Sequence, residues 1–76
     1  MTNEDIVYED KYDYLLNIIN GTVEIDGKEV NLKTEFEKFF VRGNKSAGIR
    51  IRKIMQMLRR TAEEIRDDVQ SYKKNI

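Results

Sequence analysis

The 76-residue sequence contains no cysteine, histidine, proline or tryptophan. Without cysteine, disulfide and thiolate chemistry are excluded, and without histidine the commonest general base and metal ligand is missing. No apolar run approaches the roughly 20 residues of a membrane-spanning helix. The N-terminus lacks the basic region before an apolar stretch that marks a secretory signal. We therefore expect an intracellular protein that does not enter a membrane.

Catalytic and metal-binding patterns are also missing from the sequence. Serine and threonine have no histidine to activate them as nucleophiles. The acid pairs Glu63-Glu64 and Asp67-Asp68 lie in a charge-rich stretch, which is more typical of a solvated helix face than of a metal site. The sequence thus predicts no enzyme activity, no cofactor, no metal and no small-molecule substrate.

The composition predicts one small domain with an uneven charge distribution. Hydrophobic residues make up 39% of the chain and charged residues 37%, so only a thin core can form. The 14 basic and 14 acidic residues cancel, but residues 1–26 hold seven acids and one base, and residues 42–60 hold seven bases and no acid. Such asymmetry indicates contact with nucleic acid or another charged partner, or an acidic cover over a basic surface.

A long helix is predicted from about Ser46 to about Lys74. Its apolar residues recur at steps of three and four, which is typical of one packed helix face. We call this predicted stripe the seam, and it consists of Ile51, Ile54, Leu58, Ala62, Ile65, Val69, Tyr72 and Ile76. At about 100° per residue, four cations fall on the side that faces away from the seam, namely Arg52, Lys53, Arg59 and Arg60.

The basic residues of 42–60 are the candidate nucleic-acid contacts. They are Arg42, Lys45, Arg50, Arg52, Lys53, Arg59 and Arg60, and we expect Gly43 and Gly48 to let the backbone approach a phosphate closely. Charge runs are commonly solvated faces that bind nothing. The lack of interleaved acids favours binding, because a helix built for solubility more often mixes charge signs at i and i+4.

The chain before the long helix predicts a helix, a β-hairpin and a second helix. A helix is expected over 5–20, and Asp26-Gly27 is typical of a hairpin turn within 22–32. Thr34 and Glu37 fit a capping box, so the next helix is predicted over 34–42, or from near Asn31 if the hairpin is shorter. We expect its three phenylalanines in the core.

The predicted fold class is mainly α. It is an antiparallel helical hairpin with one long C-terminal helix, preceded by a helix and a short β-hairpin. Within a single domain of 1–76, residues 1–32 form the acidic helix and β-hairpin, and residues 33–76 form the basic helical hairpin. Helix 34–42 is too short to cover the whole seam. The far end of the seam therefore needs the N-terminal helix or a second subunit in a coiled coil, which predicts a homo-oligomer.

The stretch GNKSAGIRIRK resembles the linker-histone-like (histone-like nucleoprotein) family of bacteria and phages. The similar positions are residues 43–48, Arg50, Arg52 and Lys53, followed by Leu58, Arg59, Arg60, Glu64 and Arg66. The preceding Phe36-Glu37-Lys38-Phe39 is similar to the family's first helix. The resemblance covers about residues 33–74. It implies a DNA-binding protein that organises a chromosome or genome without sequence preference, located in the cytoplasm or nucleoid, or in a host cytoplasm or virion if phage-encoded.

Two functions follow as hypotheses. The first is a small histone-like protein that binds DNA, in preference to RNA, through phosphate contacts from the basic start of the long helix. The second is a structural or assembly module in which the apolar seam carries the function and the basic face pairs with an acidic protein surface.

Overall fold

The computed structural model describes residues 8–74, with the side chains of 9–73. It contains helix α1 (Tyr8–Asn20), strands β1 (Thr22–Ile25) and β2 (Lys28–Asn31), helix α2 (Leu32–Phe36), a π-helical turn (Glu37–Val41) and helix α3 (Lys45–Lys74). The predicted mainly α fold, with its β-hairpin and long C-terminal helix, is confirmed. The expected start of the first helix at Asp5 and the last seam residue, Ile76, lie outside the described residues.

The β-hairpin has the predicted turn and pairs two four-residue strands. Asp26 and Gly27 have φ values of 54° and 80°, the positive values that a type I′ turn requires. Val23 pairs with Val30 in the antiparallel register. Their side chains and that of Ile25 are buried, so alternation along the strands directs one face of the hairpin to the core.

Asn31 ends the hairpin and begins α2. Its side-chain Oδ1 accepts a hydrogen bond from the Thr34 backbone N–H at 3.0 Å, so it is the N-cap. Its Nδ2 donates to the Gly21 carbonyl at 2.8 Å, beside the end of α1. The predicted Thr34 capping box is therefore wrong, and the earlier helix start near Asn31 is confirmed. The hairpin is short enough for Asn31, an equally favourable cap residue, to take this role.

The core lies where the hairpin, α1 and α3 meet. Ile18, Val23, Ile25, Val30 and Ile54 form its buried cluster, and Leu32, Met57 and Leu58 pack against it.

Three residues of the predicted seam are exposed in the described part of α3, namely Ala62, Val69 and Tyr72. Thr61 is buried, whereas Ala62 is exposed. Thr61 lies seven residues after Ile54, close to two full helical turns, but Ala62 is rotated about 80° away from that face. Helical geometry thus outweighs the apolar character of alanine at this position.

The turn between α2 and α3 folds the two helices against each other as a hairpin. The Arg42 N–H donates to the Glu37 carbonyl at 3.3 Å, a bond across five residues that widens the last turn. Gly43 then has φ of 70°, the left-handed conformation that favours glycine after a helix. Asn44 Oδ1 accepts from the Ala47 N–H at 3.2 Å and caps the start of α3.

Helix α1 runs antiparallel to α3 and covers part of the seam beyond the core. Ile18 lies in the core with Ile54, and Lys11 forms an ion pair with Asp68 further along α3. The hydrogen bond to Asp68 raises the pKa of Lys11, which is the direction expected for an amine paired with a carboxylate. Beyond this pair Val69 is exposed. The molecule is a rod of about 50 × 20 × 17 Å.

No helix within residues 8–74 is long and apolar enough to span a bilayer.

Candidate nucleic-acid interface

The first four turns of α3 present a cationic face to solvent. Five of its cations have exposed side chains and lie away from the core, namely Lys45, Arg52, Lys53, Arg59 and Arg60. Helical geometry places Lys45, Arg52 and Arg59 nearly opposite buried Ile54. It places Lys53 and Arg60 on one flank of the helix. Arg42 is exposed in the turn that precedes the helix. We call these six residues the basic face.

Most of the basic face is electrostatically uncompensated within the part of the chain that the structure describes. Four of the six have no acidic partner there, namely Arg42, Lys45, Arg52 and Arg60. Lys53 Nζ lies 2.7 Å from Asp26 Oδ2, and Arg59 Nε lies 3.5 Å from Glu63 Oε2. These two pairs are solvent-exposed, and such pairs contribute only about 0–1 kcal/mol. Both cations can therefore exchange a carboxylate for a phosphate at low cost.

Arg50 has a different environment from the other predicted contact residues. Its Nε donates to Glu35 Oε1 at 2.7 Å, and the Arg50 side chain is only 17% exposed. The Glu35 carboxylate is 3% exposed and also lies 3.7 Å from Lys38 Nζ. This ion pair joins α2 to α3 inside the helical hairpin. Arg50 thus holds the two helices together on the inner face of α3, apart from the exposed cations.

The two glycines occupy different positions. Gly43 lies in the exposed turn, and an added Cβ would meet no atom within 4 Å. A Cβ on Gly48 would lie 2.7 Å from Cε1 of Phe39. The space at Gly48 is therefore filled by a phenylalanine ring of the same molecule, and the missing side chain serves helix packing.

The acidic helix α1 does not cover the basic face. Its acids Glu9, Asp10 and Asp13 are exposed, and in residues 8–74 none of them pairs with a cation of 42–60. Lys11, the basic residue of α1, forms an ion pair with Asp68 in the opposite half of α3. Among the described residues of 1–26, Asp26 is the one acid that forms an ion pair with a cation of the basic face.

The expectation that the phenylalanines form core is wrong. Phe36, Phe39 and Phe40 are all exposed beyond a third of their surface, and Phe40 is 68% exposed. Their rings pack on one another, with centroids 4.9 Å apart for Phe39 and Phe40 and 5.4 Å for Phe36 and Phe40. With Val41, which is 79% exposed, they form the aromatic patch. Buried Glu35 takes the inward position of α2 in their place.

Sequence reasoning missed Glu35 and the aromatic patch, although a signal for each was present. Arg50 lies four residues before Ile54, so helical spacing puts it on the inner face of α3. A cation there requires a buried acid on the facing helix. The run Phe39-Phe40-Val41 also carries more consecutive apolar residues than one helix face can bury.

The comparisons with known proteins concern the same region. Residues 23–75 match the family described as Histone H1-like protein Hc1. The chain belongs to this family. The match spans the hairpin, α2, the π-helical turn and α3, while α1 precedes it. The predicted linker-histone-like relationship is thereby confirmed. No curated protein and no solved structure matches the chain.

Membership in the histone H1-like family indicates a structural DNA-binding protein of the nucleoid rather than an enzyme. Within residues 8–74 there is no group of three acidic residues placed to hold a metal ion.

Proposed function

We propose that this histone H1-like protein binds duplex DNA without sequence preference, through phosphate contacts from the basic face. The observation that carries the proposal is a group of four exposed cations that have no acidic partner within residues 8–74, namely Arg42, Lys45, Arg52 and Arg60, along one half of a 50 Å rod. Uncompensated charge of one sign on an exposed surface attracts a polyanion.

The chemistry of these side chains explains the lack of sequence preference. Arginine forks and lysine amines donate to phosphate oxygens, which carry no base identity. Lys53 and Arg59 join the contact when they leave Asp26 and Glu63. Arg50 acts differently, because its bond to buried Glu35 fixes the angle between α2 and α3 and so positions the turn that carries Arg42.

Binding through four to six phosphates releases condensed counterions. We therefore expect the logarithm of the binding constant to fall with the logarithm of salt concentration with a slope of about −4 to −5. Two cations removed from the basic face should flatten this slope by about 2.

The test compares two double variants of equal charge. Arg52→Ala with Arg60→Ala removes two cations of the basic face, and Arg66→Ala with Lys73→Ala removes two exposed cations from the other end of α3. Anisotropy titrations of random-sequence duplex at several salt concentrations should show the flatter slope for the first variant only. Equal slopes for both variants would mean that net charge, and not the basic face, determines binding.

An assembly module is the alternative function, and exposed apolar residues on α1 favour it. Tyr12, Leu16 and Ile19 are exposed at helical spacing, flanked by the acids of the same helix. Such a stripe suits a contact between copies of the chain and would make the protein a homo-oligomer. Sedimentation of the wild type without DNA tests this function. A concentration-independent monomer would argue against it.

A further inference from the structure

The aromatic patch is the feature that phosphate binding leaves unexplained. Phe40 and Val41 are the two most exposed large hydrophobic residues in the described chain. Contiguous exposed apolar surface costs solubility and usually marks an interaction site. The patch lies at the end of the π-helical turn, directly before Arg42 and the two residues that connect to α3.

Cations that have no acidic partner among the described residues border the patch on two sides. Arg42 follows Val41, and Lys45 begins α3 just beyond the turn. On α3 itself, Phe39 packs on Gly48, and Arg52 lies one turn further along the same face. Residues 36–45 hold three bases and one acid, Glu37, at the far end of the turn. The aromatic patch is thus surrounded by the surface that attracts a polyanion.

The ring arrangement holds Phe40 in place. Its ring meets Phe39 edge to face at 4.9 Å and tilts against Phe36 at 5.4 Å. Gly48 in turn lets the Phe39 ring approach the α3 backbone more closely than any side chain would permit. A supported aromatic ring loses little conformational freedom when it enters a site, so it is suited to insertion.

We infer that Phe40 and Val41 insert between adjacent base pairs as an apolar wedge and bend the DNA that the basic face holds. This inference rests on the proposed function. Architectural proteins pair such wedges with nearby cations, and the wedge needs one or two side chains. A stable contact with a second copy needs roughly 20–30 residues a side, which a patch of four side chains does not supply. Stacking on bases is also tolerant of sequence.

The first test measures bending by ring closure. Ligation of duplexes of about 100 bp into circles is slow, because they are shorter than the persistence length of about 150 bp. We expect the wild-type protein to accelerate circularisation about tenfold or more. Phe40→Ala with Val41→Ala should lose most of this acceleration, keep the salt slope and change affinity by less than about tenfold. Circular dichroism confirms that this surface variant is folded.

The matched control removes exposed apolar side chains elsewhere. Tyr12→Ala with Leu16→Ala on α1 should bend DNA as well as the wild type. Equal acceleration by the Phe40 and Val41 double variant and the wild type would overturn the wedge. Loss of self-association in that variant, with bending retained, would instead assign the patch to a second copy. A wild-type protein that does not bind DNA at all would refute the proposed function, a result distinct from binding without bending.

A second readout follows the inserted ring directly. The chain has no tryptophan, so Phe40→Trp introduces a single indole that can stack on bases and retain the wedge. Its fluorescence should be quenched by duplex DNA, and its ring closure should match the wild type. Tyr12→Trp, on α1, should show no quenching. Unchanged Phe40→Trp emission at saturating DNA would contradict insertion.

Discussion

Glu35 and Arg50 form an ion pair that joins the two helices of the helical hairpin. The Glu35 carboxylate is almost fully buried between α2 and α3, and Arg50 Nε and Lys38 Nζ are the cations near it. A charge held out of water destabilises the fold unless its partner remains, because desolvation must be offset by the ion pair. Under the proposed function, Arg50 therefore contributes to binding through the shape of the hairpin and not through a phosphate contact.

We predict that Arg50→Ala lowers the free energy of unfolding by about 3–5 kcal/mol, because it leaves the Glu35 carboxylate buried without its closest cation. Arg59→Ala removes the same side chain from an exposed pair with Glu63 and should cost less than about 1 kcal/mol. Urea denaturation followed by circular dichroism measures both values. Equal losses for the two variants would show that the Glu35 pair is no stronger than a surface pair.

At the scale of elements, Asn31 links three parts of the fold. It is the last residue of β2, and its side-chain oxygen caps α2. Its amide nitrogen donates a hydrogen bond to the Gly21 carbonyl, just after α1. Leu32, the first residue of α2, then packs against the core cluster. The position of the hairpin relative to the two helices is thus fixed through one side chain and its neighbour.

Asn31→Ala removes the cap on the Thr34 N–H, the bond from the Thr34 hydroxyl and the bond to the Gly21 carbonyl. We expect it to cost about 1–2 kcal/mol of unfolding free energy. Asn31→Asp keeps the capping oxygen but loses the donor to Gly21, so its cost should be smaller. Thr34→Ala removes the residue that the sequence favours as the cap and should cost least. Thermal unfolding of the three variants gives the order. A Thr34→Ala variant less stable than Asn31→Ala would contradict Asn31 as the cap.

The elements that sequence could predict are those set by local chemistry. Asp26-Gly27 specifies its turn, Gly43 ends the helix before it, and the spacing of Ile51 and Ile54 defines the long helix. Placement of the phenylalanines failed because burial depends on which faces meet in three dimensions. The inward position of α2 goes to Glu35, since Arg50 faces it across the hairpin. The run Phe39-Phe40-Val41 indicates that some of its residues must be exposed, but no local pattern shows which residue of α2 faces the core.

The residues of the candidate site also divide into those that local helical geometry predicts and those that depend on contacts between helices. Helical geometry alone put Arg52, Lys53, Arg59 and Arg60 on the solvent side, and their side chains are exposed. The spacing of Arg50 from Ile54 already places it on the inner face of α3, but its partner Glu35 is known only from the structure. Sequence also could not show that Gly48 seats a ring, because Phe39 lies on another helix.

At the scale of the whole molecule, charge is separated in space as well as in sequence. The basic face occupies one half of the rod, while the acids of α1 lie along the other half of α3, where Lys11 pairs with Asp68. A neutral chain can therefore present a strongly positive surface to DNA. If the basic face binds DNA as proposed, the same separation keeps the acidic helix away from the phosphates, so neutral composition is compatible with DNA binding.

The most direct test of this account is the affinity of the wild-type protein for random-sequence duplex DNA at about 50 and 200 mM salt. We expect micromolar binding at the lower concentration, and a slope of about −4 to −5 predicts a loss of about 10²–10³ in affinity at the higher one. A second duplex of unrelated sequence should give the same values. A folded protein that shows no binding at about 50 mM salt would contradict the account.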